Sequence, residues 1–169
     1  MPTITLLPLD QHAAEQLAAT PEAFAQQHRI TFGPTWPAIV EIATQTARFL
    51  AATAPRWPWG SYLAVEGTAR RLVGACGFKG NPDAEAAVEI AYFTFPGEEG
   101  RGVATGMAAA MVKLAGEATP PPTLVRAHTL PEINASGRVL SKVGFTRIGE
   151  VIDPEDGLVW RWERSSSPP

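Results

Sequence analysis

Residues 3–7, TITLL, form a short apolar run of strand length. Between 10 and 19 the apolar positions return at helical spacing, and Asp10 stands where an N-cap side chain is needed. Thr20 followed by Pro21 starts a second helix, which reaches about Gln27. The stretch FGPTWP (32–37) breaks the chain, and from 38 to 52 Ile39, Ile42, Ala43, Ala47, Phe49 and Leu50 recur on one helical face. The period then drops to two. SYLAVE (61–66) and RLVGACGF (71–78), joined by the turn GTAR, read as antiparallel strands. KGNPDAEA is a loop, and AVEIAYFTF (87–95) is a long fourth strand stopped by Pro96. An alanine-rich helix (104–118), a fifth strand (123–129), and a helix (134–144) closed by Gly144 follow. Strands over 145–153 and 158–163 end the pattern, with the turn PEDG between them.

This order predicts a mixed α/β single domain over residues 1–164, with SSSPP (165–169) as a disordered tail. Composition narrows the function more than the fold. The 169 residues are 45% hydrophobic and 18% charged, as expected of a folded chain. A net charge of -3 with no basic run argues against a nucleic-acid reader. The single cysteine, Cys76, excludes an internal disulfide and a cysteine-based zinc cluster, and the three histidines lack metal-ligand spacing, so no metal is expected. No secretory leader and no apolar run of membrane length is seen, which points to the cytoplasm and to no membrane partner.

The candidate chemistry lies in GEEGRGVATG (97–106), between the fourth strand and the alanine-rich helix. Strand, glycine loop and helix is the recipe for an anion site. Unbonded amides at the helix start point outward, and glycine lets backbone approach an oxygen closely. A P-loop requires GxxxxGK followed by Ser or Thr, and no lysine follows these glycines. A dinucleotide fingerprint belongs after the first strand of a βαβ unit, with an acid about 20 residues on. This loop follows a β-meander in mid-chain, and TLVRAHT holds no acid. The remaining ligand of this type is the pyrophosphate of coenzyme A.

Four segments in order resemble the GNAT acyltransferases: LVGACGFKGNPD, VEIAYFTFP, GRGVATGM and NASGRVLSKVGF. The family loop pattern (Q/R)xxGx(G/A) falls on Glu99-Gly100-Arg101-Gly102-Val103-Ala104, and GRGVATGM is similar to GxGxATEA of the RimJ/RimL branch, which acetylates protein N-termini. DPEDGLVWRWE resembles the closing strand pair of that branch. Glu99 stands where Gln or Arg is common, Glu98 where an aromatic is common, and Gly106-Met107 where the family has Glu-Ala. The resemblance implies a GNAT-fold domain with a mixed, mostly antiparallel seven-stranded sheet flanked by helices and splayed between the fourth and fifth strands. It implies acetyl-CoA as cofactor, and an amine acceptor that is a small molecule or a protein N-terminus. It also admits a homodimer. A non-catalytic acyl-CoA-binding or sensing domain is the alternative, and Glu98 and Glu99 are its main support.

By the same resemblance, Phe93, Thr94 and Phe95 lie where the pantetheine arm pairs with strand backbone. Gly100, Arg101, Gly102, Val103, Ala104 and Thr105 hold the phosphates, and Asn134 and Ser136 reach the arm and its sulfur. Phosphate held by backbone amides requires Glu98 and Glu99 to turn away. At about 8 Å in water-like dielectric, the repulsion is on the order of 0.5 kcal/mol per phosphate charge. Glu89 is a lone carboxylate in an apolar strand, on one face with Ala91 and Phe93. Half-buried, it has the character of a general base acting directly or through water; otherwise it pairs with a surface arginine or caps a loop amide. Ser136 is the candidate proton donor to the leaving thiolate, since the helix that carries it has no tyrosine; Asn134 and Ser136 read equally as capping residues. His128 reads first as a structural histidine and second as part of the acceptor wall. Trp36, Trp57, Trp59 and Tyr62 read as groove walls or as core anchors.

Overall fold

The computed structural model describes residues 1–34 and 36–166. The elements are β1 (Ile4–Leu9), α1 (Gln11–Ala19), α2 (Pro21–His28), α3 (Trp36–Thr53), β2 (Ser61–Glu66), β3 (Arg71–Phe78), β4 (Ala87–Thr94), α4 (Val103–Gly116), β5 (Leu124–Thr129), α5 (Ala135–Lys142), β6 (Thr146–Asp153) and β7 (Gly157–Ser165). Asp10 caps α1 as its position requires, accepting from the Ala13 amide at 2.8 Å. Gly144 follows α5 with φ 88, the left-handed conformation that ends a helix without Cβ strain. No helix among the described residues is long and apolar enough to cross a membrane.

The strands form one seven-stranded sheet in the order β1-β2-β3-β4-β5-β7-β6. Every neighbouring pair is antiparallel except β4 and β5. Strand alternation sends side chains to two cores. Val88 and Ile90 join Met107, Met111, Leu140 and Trp162 beneath α4 and α5. Leu63, Val65, Leu72 and Phe95 join Leu17, Phe24 and Ile39 beneath α1, α2 and α3.

β4 and β5 pair only from Ala87 with Leu124 to Glu89 with Arg126, while β5 continues to Thr129 against β7. The sheet therefore splays beyond Glu89. On its other edge β4 stays paired with β3 as far as Thr94. The Lys79 amide bonds the Glu89 carbonyl at 2.8 Å, and the Phe95 amide bonds the Val73 carbonyl at 2.9 Å. Odd-numbered β4 residues thus turn their backbone to β3. Ile90, Tyr92 and Thr94 turn theirs into the gap, where no strand among the described residues meets them.

The C-terminus differs from the expected tail. β7 runs through Ser165, which pairs with Leu124, and Ser166 is buried with its hydroxyl donating to the Pro122 carbonyl. Strand pairing with β5 extends the domain past 164. Residues 167–169 of the expected tail lie outside the described residues.

Candidate functional site

The splayed gap has the glycine loop at one end. Gly97, Gly100 and Gly102 have φ of 86, 74 and 83, values open to glycine at little cost. A Cβ at Gly100 would meet nothing within 4 Å, so the backbone there faces open space. Gly102 is the N-cap of α4, and no side chain caps the helix. The Gly106 amide bonds the Gly102 carbonyl, which leaves the amides of Val103, Ala104 and Thr105 without intrahelical acceptors. Beside Thr105 a cleft of about 530 Å³ is lined by Lys113, Lys142 and Arg164. These three cations come from three elements, so local spacing gave no signal of the cluster.

The two glutamates ahead of the loop differ in fate. Glu98 is 7% exposed, facing inward rather than to solvent. Its carboxylate pairs with Arg101 and, at 3.1 Å, with Arg71. Glu66 pairs with the same two arginines, at 2.8 Å each. Two acids and two bases close into a neutral ring that ties the loop to the β2–β3 hairpin. The hydrogen bonds from Arg71 and then Arg101 hold the Glu66 carboxyl below its usual range. The Arg101 side chain is engaged by Glu66 and Glu98, which leaves only its backbone for the phosphate contact the sequence assigns to residues 100–105. Glu99 is exposed and accepts from the Gly97 amide at 2.7 Å.

Of the expected strand contacts, Thr94 presents backbone to the gap. The Phe95 amide is bonded to β3 and its side chain is buried, and Phe93 lies opposite Ala75 on β3. Their assignment to backbone pairing in the gap is corrected by strand parity. Tyr92 and Ile90, like Thr94, turn their backbone groups to the gap.

At the level of α5, Asn134 is the N-cap, its side-chain oxygen accepting from the Gly137 amide at 2.9 Å. The Ser136 hydroxyl donates to the Tyr92 phenol at 3.3 Å, and the phenol reaches the Ser136 carbonyl at 3.4 Å. Burial raises the Tyr92 phenol, and the Ser136 hydrogen bond offsets part of this. A cleft of about 380 Å³ joins Tyr92, Asn134 and Ser136 to Glu89 and His128. Alternation places Tyr92 on the core face and gives no signal of a site; only the approach of α5 to β4 brings its hydroxyl to Ser136.

Glu89 is not solitary. Its Oε1 lies 2.9 Å from His128 Nδ1 and 3.2 Å from Lys79 Nζ. Arg161 Nε donates to His128 Nε2 at 3.3 Å. With Nε2 accepting, Nδ1 carries the proton and donates to Glu89. Burial pushes the Lys79 ammonium down, but Glu89, Asp156 and Asp153 together more than reverse this, so Lys79 stays charged. His128 is satisfied at both ring nitrogens, as the structural reading expects, and one of its partners is the candidate base. Glu89 and Lys79 also edge a cleft of about 540 Å³ on the α3 side of the sheet, lined with Phe49, Ala75, Ala91 and Phe93. Tyr62 borders it, whereas Trp59 is core and Trp36 and Trp57 are exposed. Cys76 also borders it, but burial pushes its thiol up to about 12, which leaves no thiolate nucleophile at neutral pH.

Residues 3–146 match the family model described as an acetyltransferase (GNAT) domain. No curated protein matches the chain in sequence. Among solved structures it is similar to a GNAT-family acetyltransferase from Bacillus anthracis, at 16% identity and TM-score 0.63, covering 97% of this chain and 95% of that one. It is similar to RimL, a ribosomal L7/L12 alpha-N-protein acetyltransferase in complex with coenzyme A, at 15% identity and TM-score 0.62, covering 96% and 94%. AAC(6')-Ib in complex with paromomycin and acetyl-CoA shares 16% identity at TM-score 0.64, covering 96% and 93%.

Proposed function

The chain belongs to the GNAT acetyltransferase family, and from that premise we propose that it moves an acetyl group from acetyl-CoA to the nitrogen of a primary amine. One observation carries the reading: β4 parts from β5 just beyond Glu89, between an uncapped helix start and a hydroxyl pair. Backbone groups on an unpaired strand edge inside a sheet need a partner, and an extended amide-bearing arm supplies one. The open backbone at Gly100 and the three unbonded amides of α4 fit a pyrophosphate.

In this reading the amides of Gly102, Val103, Ala104 and Thr105 hold the phosphates, and Lys142 and Arg164 add positive charge to the cleft that Thr105 borders. Tyr92 and Thr94 hold the arm by their backbone, and Asn134 contributes its side-chain amide. Acetyl-CoA supplies the thioester, an acyl carbon activated toward nitrogen. Glu89 takes one proton from the acceptor ammonium, directly or through a water, and passes it to solvent. His128 fixes the carboxylate by its Nδ1 proton. The freed amine forms the N–C bond as the C–S bond breaks. The second amine proton goes to the thiolate through Ser136 and Tyr92, so that one proton is released per amide formed.

The acceptor end of the RimJ/RimL branch, protein N-terminus or small amine, fits the open cleft on the α3 side. The ion pairs of Glu98 with Arg71 and Arg101 weaken one support of the sensing alternative, while Glu99 stays exposed at the loop. Calorimetry with acetyl-CoA and with NADPH tests the assignment. Binding of acetyl-CoA alone, with thiol release on adding amines, is the expected result. Absence of any acetyl-CoA binding would defeat the reading, and binding without turnover on a broad amine panel would favour the sensor.

A further inference from the structure

The cleft on the α3 side has a shape and a charge pattern that acetyl transfer by itself does not require. Its floor is crossed by minimal side chains on three strands: Ser61 on β2 faces Gly77 on β3, and Gly77 faces Ala91 on β4. Ala75 extends the floor along β3 and faces Phe93. Ala91 is exposed, and Phe93 is 45% exposed, its ring centroid 6.1 Å from that of Phe95. Phe49 of α3 lines the same space. Open aromatic surface beside a floor of small residues matches a planar apolar group.

The polar end has one sign in excess. Glu89, Asp153 and Glu155 line the cleft, against the single ammonium of Lys79. That ammonium is already engaged, 3.2 Å from Glu89 and 3.9 Å from Asp156. Such a field favours a cationic head and opposes a carboxylate or phosphate on the same ligand. Glu89 stands at this polar end and also borders the gap where transfer would occur.

Resting on the acetyl-transfer reading, we propose that the acceptor is an aryl-alkylamine, its ring on the Ser61–Gly77–Ala91 floor between Phe49 and Phe93 and its ammonium directed to Glu89. The nitrogen gives up one proton to Glu89 and attacks the acetyl carbon. Its second proton leaves with the thiol, and the product is the neutral N-acetyl amide. Acetylation removes the positive charge that the acidic rim holds, so product release is built into the chemistry.

Calorimetry of the full chain with 2-phenylethylamine, with and without coenzyme A, reads the slot directly, and thiol release from acetyl-CoA reads transfer. The expected result is binding and kcat/KM about tenfold or more better than for n-butylamine, the scale a filled apolar slot confers. Ala91→Leu and, separately, Ala75→Val should each raise KM about tenfold by filling the floor, with coenzyme A affinity unchanged; thermal melts verify that both variants fold. Equal affinity for the two amines, or indifference to both substitutions, would overturn the proposal. So would preferential turnover of paromomycin or of a peptide N-terminus. Tight 2-phenylethylamine binding without any acetyl transfer would leave the slot standing and sink the transfer reading instead.

Discussion

Glu89 illustrates how contacts redefine a side chain. In the sequence it is an isolated acid among apolar residues; in the fold it has Lys79 on one side and the Nδ1 proton of His128 on the other. Removing its charge while keeping its shape separates chemistry from packing. Glu89→Gln is expected to lower kcat about a hundredfold, within the range of general-base contributions. The dissociation constant for coenzyme A, read by calorimetry, should not move. Tyr92→Phe keeps the ring beneath α5 and deletes the hydroxyl that meets Ser136. A fall in kcat of about tenfold without a change in coenzyme A affinity is expected, because only proton delivery to the thiolate is impaired. An unchanged kcat would leave the phenol a purely structural partner of Ser136.

Among the elements, the β2–β3 hairpin was the easiest to read. Its alternation and the turn between its strands are local, and the strands run over Ser61–Glu66 and Arg71–Phe78 as the pattern predicts. The ion ring at its end was not legible. Glu66, Arg71, Glu98 and Arg101 come from separate stretches, and no spacing rule links a hairpin to a loop that follows a third strand. The end of β7 was hidden for the same reason, since its pairing to Leu124 and the bond from Ser166 to Pro122 are long-range. The glycine loop, by contrast, announced its helix start, because positive φ and close backbone approach leave a residue-type signature. The ring gives the loop an acid limit. The folded-state value of Glu66 lies below its ordinary 4.5. Its contribution is therefore present above that pH and lost as the pH falls through the lower folded value. Melting temperature should decline on acidification below about pH 4.5, and Glu66→Gln should flatten this limb. Added salt should shrink the effect, since Arg71 and Arg101 are partly exposed.

At the scale of the whole molecule, alternation sends side chains from both faces of the sheet into separate cores, and the α/β order was readable in the sequence. The splay was available only through resemblance, because no local pattern states that two strands separate halfway. Ligand binding should show up as global stability. Acetyl-CoA at a hundred times its dissociation constant adds about 2.7 kcal/mol. At about 2–4 °C per kcal/mol for a domain of this size, that raises the melting temperature by about 5–10 °C, measurable by calorimetric scans with and without ligand. The parting of β4 from β5 has one more consequence. The row of backbone groups at Ile90, Tyr92 and Thr94 is a sheet edge enclosed within a single chain. Edges of this kind template the addition of further strands, and in the proposed reading the addition is a thioester arm rather than a peptide. On the proposed reading, a bound arm caps this edge, so coenzyme A is expected to reduce aggregation of the chain, read by light scattering with and without it.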